Sequence, residues 1–241
     1  MENIQVEKLE NPGTQLTYSF NLPRFRAVLR VLKRLYPALM IALALLPLLN
    51  TVIFLATTGD NVLSADYVFY VNTITRIAEG TYDWLYFPRD SFVNTHFLLF
   101  PLFLEVVLAL LTHWNTYFTI FTGVGMAVVK VILLWDACNI VNNGKKTWFL
   151  LPLLSALSFG GSAIDVFTFG QTSVTWGFCF LGFSFGIWCL VKIERDWLTS
   201  LLIGLAGIVS CWSGAIGFLV WPAFFVMMVV LGKRKGWQYA A

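Results

Sequence analysis

The sequence predicts an all-α fold: a polytopic transmembrane bundle of about seven or eight spans, with an outer-face loop carrying an amphipathic interfacial helix. Three observations lead there. First, 58% of the 241 residues are apolar and only 12% are charged, with a mean hydropathy of +0.74. A soluble domain carries about 25% charged residues, so this chain has too little polar surface to cover a globule in water. Second, the apolar residues fall in long runs flanked by short basic clusters, the pattern of membrane spans with cytoplasmic ends. Third, one stretch, residues 60–101, interrupts this pattern with Asp60, Asp66, Arg76, Glu79, Asp83, Arg89 and Asp90. The net charge of +3 is too small to point to nucleic acid.

Three regions follow: a cytoplasmic tail with a basic juxtamembrane helix (1–35), a transmembrane bundle (36–232) with an outer loop (58–94), and a basic cytoplasmic tail (233–241). No cleavable signal peptide is expected, because the first apolar run lacks a small-residue cleavage site. In residues 22–35, Arg24, Arg26, Arg30, Lys33 and Arg34 alternate with apolar residues behind Pro23, which suits a first helical turn. Such a helix either lies on an anionic leaflet or only orients the next span, with the N-terminus cytoplasmic.

The first span is expected at 36–57. Within the outer loop, Ser64 as N-cap and Gly80 as C′ residue bracket a helix. Leu63, Tyr67, Tyr70, Val71, Ile74, Ile77 and Ala78 fall on its apolar stripe, and Asp66, Asn72, Thr73, Arg76 and Glu79 on the other face. It is expected to lie in the membrane interface, apolar side down. Tyr82, Trp84, Tyr86 and Phe87 then read as an aromatic belt at headgroup level, and Pro88-Arg89-Asp90 as a turn. Further apolar runs cover 95–111, 114–135, 147–159, 172–191, 198–212 and 214–231.

The basic residues Lys145, Lys146, Lys192, Arg195, Lys233, Arg234 and Lys235 should all be cytoplasmic. Reaching Lys145 from the outer loop takes an odd number of crossings, yet two runs lie between. Either the 114–135 run is broken in two, with Gly123 and Gly125 marking the break, or it is partly re-entrant.

The polar loop carries the candidate chemistry. Asp66-Tyr67-x-x-Tyr70 is followed by Arg76, Gly80-x-Tyr82-Asp83, His96 and Phe100-Pro101. Gly170-Gln171 precedes a run that ends at Lys192 and Arg195, with a Gly-rich span at 201–207 beyond. Together these motifs resemble GT-C-type glycosyltransferases, multi-pass enzymes that use a polyprenyl-phosphate sugar as donor, in a bacterial branch. The resemblance covers about residues 36–232. It implies hexosyl or pentosyl transfer on the outer face of a bacterial plasma membrane, by an N-terminal module, a short form or a degenerate form of that fold. It assigns Asp66 as catalytic base with His96 assisting. Tyr67, Tyr70, Arg76, Asp83 and Arg89 become substrate-binding residues, and Asp165 and Gln171 contacts for sugar or acceptor. The physical logic is that such transfer needs a base for the acceptor hydroxyl and cations or donors for the leaving phosphate. The plainer reading makes Asp66 a solvated helix-cap carboxylate, and Asp83 and Asp90 ion-pair partners of Arg76 and Arg89.

Glu105 and Lys130 are ionisable groups inside apolar runs, where such groups are costly. A Lys130–Glu105 pair is preferred over Lys130–Asp136, whose six-residue separation does not bring two side chains onto one helical face. Cys138, Cys179, Cys189 and Cys211 lie in or beside apolar runs without a CxxC and read as small core residues. His96 and His113, at opposite ends of one run, do not make a haem pair. No cofactor is expected; Asp60, Asp66 and Asp83 would hold Mg²⁺ only if the fold brought them together. The rival reading is a non-catalytic subunit of a larger membrane complex on the same scaffold, with other membrane subunits as partners. A small-solute carrier is less favoured because no internal repeat is visible.

Overall fold

The computed structural model describes residues 23–59, 67–93 and 96–232, and within these the side chains of all but 23–30, 67–69, 162, 163 and 165. The chain divides into two compact units, Met1–Tyr36 and Pro37–Ala241. The described part of the first unit is helical from Pro23, where a missing N–H costs nothing. Its side chains from Val31 to Leu35 are exposed.

Among the described residues there are ten α-helices: α1 Pro23–Thr58, α2 Tyr67–Ala78, α3 Phe87–Asp90, α4 Leu99–Thr112, α5 Thr116–Val141, α6 Leu150–Phe159, α7 Gly161–Thr168, α8 Gly170–Lys192, α9 Asp196–Cys211 and α10 Val220–Val230. Two 3₁₀ turns, Trp84–Tyr86 and Ala215–Leu219, and a two-stranded antiparallel ribbon, β1 Phe92–Val93 and β2 His96–Phe97, complete them. The chain is thus all-α in its bulk.

Three helices are long and apolar enough to cross a membrane: Val31–Thr58, Thr116–Val141 and Gly170–Lys192, with mean hydropathies of 2.5, 2.0 and 1.8. The chain is accordingly a multi-pass membrane protein, but with three such helices rather than the expected seven or eight. The shorter apolar helices, Leu99–Thr112, Leu150–Phe159, Asp196–Cys211 and Ala215–Val230, are 10–17 residues long. At ~1.5 Å per residue they reach less than the ~30 Å of hydrocarbon that a spanning helix must cover. The apolar runs misled because they count ribbon and turns as helix. The 95–111 run includes β2, and the 214–231 run includes a 3₁₀ turn.

The expected break in the 114–135 run is absent. α5 is one helix of 26 residues through Gly123 and Gly125. Gly123 is there for packing: a Cβ at that position would lie 2.2 Å from Ser173 Oγ and 2.6 Å from Ser173 Cβ on α8. One turn along, a Cβ on Gly177 would lie 2.7 Å from Met126 Sδ. The missing side chains let the α5 and α8 backbones approach closely, as small residues do between membrane helices.

The other faces of α8 do the same. Gly182 packs against Ser210 and the Ala206 carbonyl of α9, and Gly186 against the Phe224 ring of α10. Ser210 Oγ donates to the Cys179 carbonyl at 3.1 Å, and Cys179 Sγ donates back to the Ser210 carbonyl at 3.5 Å. Cys179, Cys189 and Cys211 are buried and Cys138 half-buried, all as free thiols.

Where a helix ends inside the apolar body, a side chain from a neighbour supplies the missing donor. Thr51 of α1 is fully buried and donates to the Phe159 carbonyl at the end of α6, at 2.9 Å. Ser155 of α6 donates in return to the Ala44 carbonyl. Gly160 follows in extended backbone, and a Cβ there would lie 2.5 Å from the Ala156 carbonyl oxygen.

These contacts make Gly123 and Gly125 opposite cases, because nothing lies within 4 Å of a Cβ at Gly125. Gly123→Val should lower stability by ~1–3 kcal/mol through overpacking, whereas Gly125→Ala should match or exceed wild type. Thermal unfolding of the detergent-solubilised variants checks both.

Candidate functional site

The polar stretch folds as α2, a 3₁₀ turn, α3 and the ribbon, all gathered on α4. α2 ends as the sequence signals. Gly80 is left-handed (φ +70), its N–H bonds to the Ile77 carbonyl, and the Thr81 N–H to the Arg76 carbonyl. This is a Schellman ending, in which only glycine carries the reversed backbone without strain. The apolar stripe is real, but it turns into protein. Tyr70 and Ile74 are fully buried with Tyr82, Phe87, Val93, Leu98, Leu102 and Val106 in one cluster. The expected interfacial helix, apolar side to the lipid, is therefore corrected: α4 and the ribbon cover that side.

The aromatic belt also divides. Tyr82 and Phe87 belong to the core cluster, whereas Trp84, Leu85 and Tyr86 face outward, Leu85 with 87% of its surface exposed. Tyr82 donates its phenol hydrogen to Asp90 Oδ2 at 2.9 Å. Burial, reinforced by the Asp90 carboxylate, pushes its ionisation well above the ordinary tyrosine range. Arg76 lies with its guanidinium 5.5 Å from the Tyr82 ring centre, and Arg89 4.7 Å from that of Tyr86. Arg89 pairs with Asp90 at 3.4 Å, as expected of that pair. Asp83 does not pair with Arg76; it caps the 3₁₀ turn by accepting the Leu85 N–H at 3.0 Å. A short carboxylate two residues before a free N–H closes that local bond more readily than it reaches across α2. Pro88-Arg89-Asp90 forms the single helical turn α3 rather than a reverse turn.

Three of the expected site residues come together. Gln171, in the first turn of α8, is 4% exposed, and its Nε2 donates to the Tyr70 hydroxyl at 2.8 Å. Gln171 and His96 of β2 both line a chamber of about 280 Å³ closed by Thr172, Thr175, Trp176 and Cys179 of α8 and Gly214, Ala215 and Ile216 of the following loop and 3₁₀ turn. Within it, the Thr175 hydroxyl is buried without a hydrogen-bond partner. Nearby, Trp212 meets the Phe97 ring edge-on at 5.6 Å and stacks on Phe100 at 6.2 Å. The chamber therefore offers an amide, two threonine hydroxyls, an imidazole and an indole. No carboxylate is among the described residues of its lining.

Asp60 and Asp66 lie outside the described residues, as do the side chains of Tyr67 at the start of α2 and Asp165 in α7. Among the described residues no three His, Cys, Asp or Glu side chains converge. Thr175 and Trp176 are among the chamber residues that sequence reasoning missed. Each is an ordinary member of an apolar run, and only the fold shows which way it faces.

Of the intramembrane pair, Glu105 is 2% exposed and accepts from Thr119 Oγ1 of α5 at 3.1 Å. Lys130 lies eleven residues beyond Thr119 on the same helix, ~16 Å along its axis, and has its ammonium 5.3 Å from the Phe180 ring centre. The expected Lys130–Glu105 pair is thus not formed. Asp136 accepts instead from Trp188 Nε1 at 2.8 Å.

No protein-family model, curated protein or solved structure matches this chain.

Two outcomes follow from this geometry. Removing the Tyr70 hydroxyl strands a buried amide donor, so Tyr70→Phe should cost ~1–3 kcal/mol. Adding Gln171→Leu should recover part of that loss in a double-mutant cycle read by thermal unfolding. For Tyr82, the raised ionisation means that the protonated phenol stabilises the fold at neutral pH. That contribution should fall away as pH rises beyond ~10, the unfolded-state value. Wild type should exceed Tyr82→Phe by ~1 kcal/mol at pH 7, with the two unfolding curves converging in strong alkali.

Proposed function

We propose that the chain is a GT-C-like membrane glycosyltransferase, or a module of one, that transfers a sugar from a polyprenyl-phosphate donor on the outer face of the membrane. One observation carries the reading: two residues singled out by separate motifs, His96 and Gln171, line one chamber. Its amide, free threonine hydroxyl and indole suit a neutral ring rich in hydroxyl groups, which needs directional hydrogen bonds and an aromatic face rather than a counter-charge. Gln171 is held by Tyr70, so its carbonyl and second N–H meet a ligand already oriented.

Asp66, just before α2, is the base that takes the acceptor proton, with His96 assisting. Arg76 and Arg89 hold the leaving phosphate. The orientation agrees with the basic clusters. α4, of 14 residues, dips into the bilayer without crossing it. α5 alone then takes the chain from the outer loop to cytoplasmic Lys145, which supplies the odd number of crossings. The α6–α7 pair returns it, and the α7–α8 junction with Gln171 lies outside.

A second reading, a non-catalytic subunit on this scaffold, is favoured by the exposed Trp84, Leu85, Tyr86 and Phe92, an outward apolar patch of the kind that docks partners.

The purified protein should release polyprenyl phosphate from a polyprenyl-phosphate sugar in the presence of an acceptor. Gln171→Leu should lower turnover by about tenfold or more, and Asp66→Asn should abolish it. An intact, folded protein without turnover, held in fixed stoichiometry by a larger membrane assembly, would put the subunit reading in its place.

A further inference from the structure

A second cavity, of about 330 Å³, lies between α5, α6, α7 and α8. Its walls are apolar, with Met126 and Leu134 from α5, Leu157 from α6, Phe167 from α7, and Trp176 and Phe180 from α8. Leu157 is 73% exposed, so the groove has an edge on the outer surface of the bundle, where a membrane protein meets acyl chains. Lys130 is the single charged residue among the described residues of its lining. It sits 14 residues from the start of α5 and 11 from its end, about 21 Å and 16 Å along the axis. That is too far from either end for its four-carbon stem to bring the ammonium out to the headgroups.

Among the described residues no carboxylate answers this cation. Glu105 is engaged by Thr119 and Asp136 by Trp188. Among the described residues the ammonium faces only the Phe180 ring, at 5.3 Å. A cation in an apolar, lipid-accessible groove is costly unless something anionic joins it.

We propose that this groove binds a long-chain carboxylic acid from the bilayer, its chain along the apolar walls and its carboxylate on Lys130. The chemistry selects that ligand. One ammonium matches one carboxylate in charge, and Ser158 of α6 lines the same groove and supplies a hydroxyl donor. A phosphate monoester carries up to two negative charges and calls for several cations or backbone donors. A carboxylic acid, in addition, can enter the hydrocarbon in its uncharged form and pass its proton to Nζ of the neutral Lys130 amine, so that the ammonium–carboxylate pair forms with no net charge carried in. The groove is a different site from the His96–Gln171 chamber, and among the described residues the two share only Trp176 as a wall.

The test uses the full chain in phosphatidylcholine nanodiscs and palmitate carrying a mid-chain diazirine. After illumination, peptide mass spectrometry should place the label between Met126 and Leu134 or between Leu154 and Leu157. Excess palmitate should abolish labelling, whereas palmitate methyl ester, with the same chain and no charge, should not. Lys130→Met should reduce labelling about tenfold or more, and Lys130→Arg should keep most of it. Melting temperatures establish that both variants are folded, and the ester comparison needs no variant at all. The proposal is overturned if the ester competes as well as the acid, if folded Lys130→Met labels like wild type, or if a polyprenyl monophosphate displaces the label at lower concentration than palmitate.

Discussion

The close approach of α5 and α8 is the constraint on which the rest of the second unit depends. Lipid chains are as apolar as leucine, so helices in a bilayer gain little from burying apolar surface. They associate through packing and the hydrogen bonds that small residues permit. Gly123 admits Ser173, and Gly177 admits Met126. A side chain at either glycine would force the helices apart. α8 repeats the device on its other faces, with Gly182 and Gly186 against α9 and α10. A single helix thus carries most of the packing of this unit, while α6, too short to stand alone, is tied to α1 by Thr51 and Ser155.

That arrangement also positions both cavities. Ser173 lies in the same turn as Gln171 and Thr175, so the contact that locks α8 to α5 also sets where the chamber's amide and hydroxyl point. Ser173 itself donates to the Gly170 carbonyl at 2.8 Å, steadying the first turn of α8. Tyr70 reaches the same turn from α2, linking the polar stretch to the bundle by one buried hydrogen bond. Further along, the gap between α5 and α8 is filled incompletely by Met126, Trp176 and Phe180, and the groove with Lys130 results. The polar chamber and the apolar groove are therefore two consequences of one helix pair.

How much of this was legible beforehand depended on whether the signal was local. The ending of α2 was readable because a left-handed residue needs glycine, and Gly80 stood where the apolar stripe stopped. The stripe was right at Tyr70 and Ile74 but not in its partner or its edges: Thr73, read onto the polar face, is buried, and Ala78, read onto the stripe, is exposed. Gln171 and His96 were singled out by motifs, and both line one chamber. The span count failed because hydropathy does not register helix ends: ribbon residues before Leu99 and the 3₁₀ turn before Val220 are as apolar as the helices they precede. The Lys130–Glu105 pairing failed on distance along α5, which a list of intramembrane charges does not encode. Thr175 and Trp176 gave no signal, because an apolar run hides which of its members face a cavity.

The most direct test of the account is whether α5 and α8 meet at the register described. A Cβ placed on Gly177 would lie 3.4 Å from Met126 Cβ, at the short edge of the ~3.5–4.5 Å that a disulfide spans. With Cys138, Cys179, Cys189 and Cys211 replaced, the pair Met126→Cys and Gly177→Cys should form an intramolecular disulfide under mild oxidation in native membranes, seen as one cross-linked peptide pair by mass spectrometry. If both thiols stay free in protein that is folded and membrane-inserted, α5 and α8 do not pack through these residues. The chamber and the groove built on that contact would then fall with it.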